Sequence, residues 1–178
     1  MIRSTTSFIL TYLCVSFNPL PIYDHYTVYI APGFSDEQKQ LIINALSEWQ
    51  QLTSVSFDVF DNDVPFYPIG SDVVISPIAS TKNCPELMSS SEGCIALTKL
   101  YPITGGAKVF LPLDLPDHMF KQVSLHETGH SIMNDHIDHI GSIMYPYYGF
   151  DSHLTCWDVQ EFYRARSQNK ECEGDITQ

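Results

Sequence analysis

Basic side chains are scarce. Nine Lys and Arg stand against 21 Asp and Glu, a formal net charge of −12, so the surface repels nucleic acid and anionic membranes rather than seeking them. The plainest consequence of the acid excess is solubility. Long apolar runs are lacking too: the stretch from Phe8 to Phe17 is too short to span a bilayer comfortably. No internal repeat recurs and nothing marks off a second domain. The 178 residues therefore read as one domain, long enough to bury a core without help.

The first residues, MIRSTTSFILTYLCVSF, place one arginine ahead of that apolar run. They resemble a short secretory signal within residues 1–20, followed by a single domain with a short tail over 22–178. No small-x-small cleavage site is clear, and Leu13 before Cys14 is a poor match to a lipoprotein box. A buried N-terminal strand is the competing reading. If Cys14 leaves with the signal, four of the five cysteines remain. Cys84 and Cys94 bracket one loop, Cys156 and Cys172 bracket the last helix, and pairing neighbours is the simplest of three connectivities. Such staples suit a secreted or periplasmic domain, whereas four reduced thiols suit a cytosolic one.

Tyr26 to Ile30 alternates as a strand and is closed by Ala31, Pro32 and Gly33. Ser35 with Gln38 makes a capping box for a helix whose stripe of Ile42, Ala45, Leu46 and Trp49 is core. Val55 to Phe60 and Asp72 to Ile75 read as strands separated by a loop rich in Asp, Asn, Pro and Gly. Ile95 to Tyr101 and Ala107 to Leu111 read as two more, joined through Thr104, Gly105 and Gly106. This order predicts an α+β domain with a mostly parallel twisted sheet and a helix on it. Asp117 is the expected N-cap of a second helix, seated on the sheet by Met119, Phe120 and Val123.

The chemistry concentrates between His126 and Pro146, HETGHSIMNDHIDHIGSIMYP. His126 and His130 are four apart, so on a helix they project from one face, close enough to hold one metal ion. Glu127 lies one step round the helix. It does not crowd the same coordination position but reaches a water held there. An isolated H-E-x-x-H arises by chance in about one such chain in a few hundred, so the flanks carry the weight. His136 stands where a third ligand arrives after the helix ends and the chain turns back, leaving an open fourth position.

Gly141, Ser142, Ile143, Met144, Tyr145 and Pro146 then resemble a Met-turn, the methionine-centred loop under the metal in the metzincin clan of zinc metalloproteases. The distance from His136 to Met144, the glycine at Gly141 and the Met-Tyr-Pro ending are most similar to the matrixin branch. Astacin-like and serralysin-like relatives place a tyrosine two residues after the methionine, where this chain has Pro146. The resemblance covers roughly Tyr26 to Arg166 and is sharp only from His126 to Pro146. It implies a metzincin fold, with a twisted, mostly parallel five-stranded sheet, an antiparallel edge strand at Ile95 to Tyr101, and three helices. The last helix would carry Leu154, Thr155, Asp158, Val159, Phe162 and Tyr163, with Thr155 as its cap. Matrixins often have two adjacent aspartates there, and Trp157 replaces one of them. The resemblance further implies one catalytic zinc on His126, His130 and His136, with Glu127 as general base for peptide-bond hydrolysis. An extended peptide substrate would pair along the edge strand. Nucleic-acid binding and stable membrane insertion are not expected, and a monomer is.

Several departures qualify the pattern. Metzincins have glycine three residues after the second histidine, where this chain has Met133. Asn134 tolerates left-handed angles and takes the turn one residue later in this reading, with His139 as the substitute ligand if the loop is reshaped. No cysteine-switch propeptide, no haemopexin-like repeat and no His and Asp array for structural zinc or calcium is visible. Three rivals stand beside the matrixin reading. Glu92, Gly93 and Cys94 match the E-G-C of peptide deformylases, but those enzymes do not continue into a third histidine and a Met-turn. A gluzincin would use a downstream glutamate such as Glu161. A non-catalytic zinc-binding module would have no need of Glu127. His25, His118 and His153 read as isolated surface residues, and Tyr147 and Tyr148 either wall a pocket or pack.

Overall fold

Five segments are extended: β1 (His25–Ile30), β2 (Ser56–Phe60), β3 (Val73–Ile78), β4 (Leu97–Tyr101) and β5 (Gly106–Pro112). The computed structural model describes residues 23–61, 72–81, 95–101, 106–133, 135–147, 153–168 and 171. The strands form one sheet in the order β2-β1-β3-β5-β4. β1 pairs in parallel with β2 and β3, and β3 in parallel with β5, while β4 runs antiparallel along the edge of β5. Three helices, α1 (Asp36–Leu52), α2 (Asp117–Met133) and α3 (Cys156–Ala165), complete the described elements. The architecture is thus α+β, with the mostly parallel sheet and antiparallel edge expected of the sequence.

The capping box of α1 is present in both directions. Gln38 N–H donates to Ser35 Oγ at 3.2 Å and Ser35 N–H donates to Gln38 Oε1 at 3.1 Å, satisfying two amides that the helix cannot. Ile42, Ala45, Leu46 and Trp49 are the buried residues of α1. They join one core with Tyr26, Val28, Ile30, Val73, Ile75, Val109 and Leu111 of the sheet, Phe120 of α2 and Phe162 of α3. Each large side chain removed from water contributes roughly 1.5–3 kcal/mol.

Two boundaries differ from expectation. β3 continues past Ile75 to Ile78, through Pro77. Ile75 C=O accepts from Ala31 N–H at 2.8 Å, so residue 77, two further on, faces the β1 side as well. Pairing with β1 ends at Ile30 and Ile75, and proline's missing N–H falls where no ladder partner is left. The chain turns away there at Gly33, whose φ is +114° and where a Cβ would lie 3.1 Å from Pro77 Cγ. The second difference is at Asp117, which is the first helical residue rather than the cap. Phe120 N–H donates to Pro116 C=O at 2.8 Å, so Pro116 opens α2 and the Asp117 carboxylate acts on the positive end of the helix.

Residues 122–132 of α2 are all buried, an environment that demands partners for its polar side chains. Ser124 Oγ–H donates to Phe120 C=O at 2.7 Å and Ser131 Oγ–H to Thr128 C=O at 2.6 Å. Trp49 Nε1–H reaches across from α1 to Leu125 C=O at 3.0 Å, fixing the helix one residue before His126. Cys84, Cys94 and Cys172 fall outside the described residues, as do residues 1–20, so the disulfide and signal expectations lie outside them too. No helix among the described residues is long and apolar enough to cross a membrane.

Candidate metal centre

His126 and His130 sit one turn apart on α2, with Nε2 atoms 3.0 Å from each other. His136, beyond the helix end, brings its Nε2 to 3.1 Å from that of His130. Ligand atoms of the three histidines all lie within 4.8 Å of one another. Four ligands at 2.0–2.1 Å from a tetrahedral ion stand about 3.3 Å apart, close to the two short separations here. His126 Nδ1–H donates to Ile143 C=O at 2.6 Å, which puts the proton on that nitrogen and leaves the Nε2 lone pair facing its neighbours. Burial holds His126 down at about 3, and burial also lowers His136 against the opposing charge of Asp135. Both are therefore neutral near pH 7, the form that binds a cation.

Glu127 is 1% exposed. Its Oε2 accepts from Thr98 Oγ–H of β4 at 2.5 Å, while Oε1 is buried with no hydrogen-bond partner among the described residues. Burial raises its carboxyl to about 8, opposed by the Thr98 hydrogen bond. A carboxyl oxygen buried without a hydrogen-bond partner is a costly arrangement. A cation with an attached water would satisfy it, so the residues present fit a metal ion.

The loop after α2 folds back under the histidines. Ile137 N–H donates to Met144 C=O at 2.9 Å, and Ser142 N–H donates to His139 C=O at 3.0 Å. That closes a turn from His139 to Ser142, in which Gly141 has φ +105°, a left-handed angle that a side chain disfavours. Met144 is fully buried. Asp158 on α3 holds the turn from below: Oδ1 accepts from Ser142 Oγ–H at 2.5 Å and Met144 N–H at 3.1 Å, and Oδ2 from Ile143 N–H at 3.2 Å. Oδ2 also accepts from Thr155 N–H and Oγ–H, both at 2.7 Å, so Thr155 does precede α3 as its cap residue.

Of the candidate residues, the structure groups His126, His130 and His136, with Glu127 buried on the helix that carries the first two. His139 is outside the cluster, stacked on Trp157 with ring centroids 4.4 Å apart. Glu161 is engaged by Arg164 Nε–H at 2.6 Å on α3 and is not among the grouped ligands. Cys94 and Asn134 lie outside the described residues. His25 and His153 are exposed but not isolated, 3.2 Å from Asp58 and 3.5 Å from Glu48 respectively. Tyr147 packs edge-on to Tyr145. Sequence reasoning missed Thr98 and Gly129. The first stood out only as a polar residue in an apolar strand, and the second was hidden as one of the unspecified positions of H-E-x-x-H. No protein-family model matches the chain, and no curated protein matches it.

Proposed function

We propose that this chain is a zinc-dependent endopeptidase of metzincin fold, most similar to the matrixin catalytic domain. One observation carries the reading: the nitrogens of His126, His130 and His136 converge, and the helix that carries two of them also carries Glu127, whose buried Oε1 has no hydrogen-bond partner among the described residues. His126, His130 and His136 would hold the ion. When bound, zinc would acidify a water and polarise the scissile carbonyl. Glu127 Oε1 accepts the proton of the attacking water and returns it to the leaving amine. β4, the last strand of the sheet among the described residues, offers an edge along which an extended peptide pairs.

The gluzincin alternative is weakened by the Glu161 contact with Arg164, and a non-catalytic zinc module by Glu127 on the histidine helix, whose Oε1 is buried without a hydrogen-bond partner among the described residues. Purified protein should contain one zinc per chain and cleave a generic protein substrate. Glu127→Gln should keep the fold and the zinc yet lose cleavage. Unchanged cleavage by that variant would reject the mechanism.

We further place the protein in an exported compartment, with the mature chain starting shortly before Tyr26 and Cys84 joined to Cys94 and Cys156 to Cys172. Intact mass and thiol labelling on native material test this. Five labelled thiols on a chain beginning at Met1 would put it in the cytosol.

A further inference from the structure

We propose that Thr98 is a positioning residue for the peptidase reaction, holding one oxygen of Glu127 so that the other is aimed at the reacting water. The inference rests on the proposed function and goes beyond it by assigning a role to a side chain of the edge strand. Thr98 is buried, 4% exposed, and its single hydroxyl hydrogen has two acceptors in reach. These are Glu127 Oε2 at 2.5 Å and Glu127 C=O at 3.1 Å. The shorter contact takes the hydrogen, and a bond to a carboxylate is the stronger kind.

That leaves a division of labour between the two carboxylate oxygens. Oε2 is occupied, and Oε1, buried without a hydrogen-bond partner among the described residues, is the one available to take a proton. Glutamate rotates freely about its last torsion, so without an anchor the two oxygens would exchange places. Threonine suits the anchor because its branched Cβ restricts χ1 in a strand. The strand matters as well: Thr98 pairs opposite Val109 of β5, which in turn lies opposite Ile75 of β3. The hydroxyl is therefore referenced to the rigid sheet rather than to the helix it touches. It also joins the proton acceptor to the strand along which substrate pairs, so a peptide that seats on β4 seats against a fixed base.

A purely structural hydroxyl would serve only to keep a buried carboxyl satisfied. Two measurements separate the roles. In the zinc-loaded enzyme, Thr98→Val, which keeps shape and removes the hydroxyl, should lower kcat about 10- to 100-fold while KM and zinc content stay within about 2-fold, since neither substrate pairing nor the histidines are touched. Thr98→Ser should restore most of kcat. In the metal-free chain, a double-mutant cycle by urea unfolding should show the same contact. Thr98→Val should lower the folding constant about 10-fold in the parent and at most about 3-fold in a Glu127→Ala background. Equal costs in the two backgrounds overturn the inference, as does an unchanged kcat or a serine variant as slow as the valine one. A parent chain that binds zinc and cleaves nothing would defeat the proposed function, while the cycle would still decide whether Thr98 holds Glu127.

Discussion

A Cβ placed on Gly129 would stand 2.2 Å from the sulfur of Met144 and 3.0 Å from Cζ2 of Trp49. Glycine inside a helix ordinarily costs about 1 kcal/mol relative to alanine, yet here its bare backbone is what lets Met144 seat against α2 in the turn between His126 and His130. Trp49 and Met144 are both fully buried, so neither yields without disturbing the core. Overpacking of this kind costs about 1–3 kcal/mol or more, which outweighs the gain in propensity. Gly129→Ala should therefore destabilise the chain by about 1–2 kcal/mol in urea unfolding and weaken zinc binding. The stability cost should shrink in a Met144→Ala background. A Gly129→Ala protein as stable as the parent would show that the turn gives way freely.

Asp158 gathers five donors, from Ser142, Ile143, Met144 and Thr155, in a site where it is 0% exposed. An amide in its place keeps the size but turns one acceptor into a donor that faces other donors. Asp158→Asn should cost about 3 kcal/mol or more and release the Met144 turn from α3. Because Ile143 C=O orients His126, zinc affinity should fall along with stability, by about 10-fold or more. Competition against a chromophoric chelator checks it. Loss of stability with unaltered zinc affinity would mean that the turn does not position the ligands.

How far these features were legible in the sequence depends on whether they repeat or reach. The Ile42, Ala45, Leu46, Trp49 stripe and the Ser35 cap announce themselves, since helical period and capping chemistry are local. So do His126, Glu127 and His130, whose spacing is itself a geometric statement. Asp117 misled because a capping residue type beside proline leaves two candidate starts, and only the backbone bond to Pro116 decides between them. The strand expected over Asp72 to Ile75 runs on through Pro77, because the sequence does not say on which side β1 stops. Thr98 is 29 residues from Glu127 along the chain, and Gly129 is answered by a methionine from another loop. Neither pairing leaves a trace in local pattern.

His136 and His139 differ in surroundings enough to be told apart by metal content. His136 turns its Nε2 towards His130, whereas His139 is exposed and covers Trp157. His136→Ala should lose most of its zinc and His139→Ala should keep it. If the two results were exchanged, the loop after Met133 would be reshaped in solution and the ligand set would be His126, His130 and His139. Elemental analysis after dialysis against a weak chelator separates these outcomes.

Removing the metal should expose an unusual dependence of stability on pH. In the metal-free chain, burial raises Glu127 from 4.5 to about 8, so between those values the folded state holds the extra proton. Stability from this group is lost as pH rises through that window, at up to about 1.4 kcal/mol per pH unit. Burial lowers His126 from 6.5 to about 3, and there the unfolded chain holds the extra proton, so stability is lost as pH falls from 6.5. Between 4.5 and 6.5 the Glu127 effect opposes that of His126, to which the lowered His136 adds in the same direction, and from 6.5 to 8 the decline due to Glu127 remains. Glu127→Gln, which does not ionise, should accordingly remove the decline between pH 6.5 and 8 in urea unfolding with chelator present. Zinc should suppress the decline in the parent as well, because a cation favours the ionised carboxylate. Parallel pH profiles for the metal-free parent and the variant would mean that water reaches Glu127 and that the carboxylate is not held dry beside the histidines.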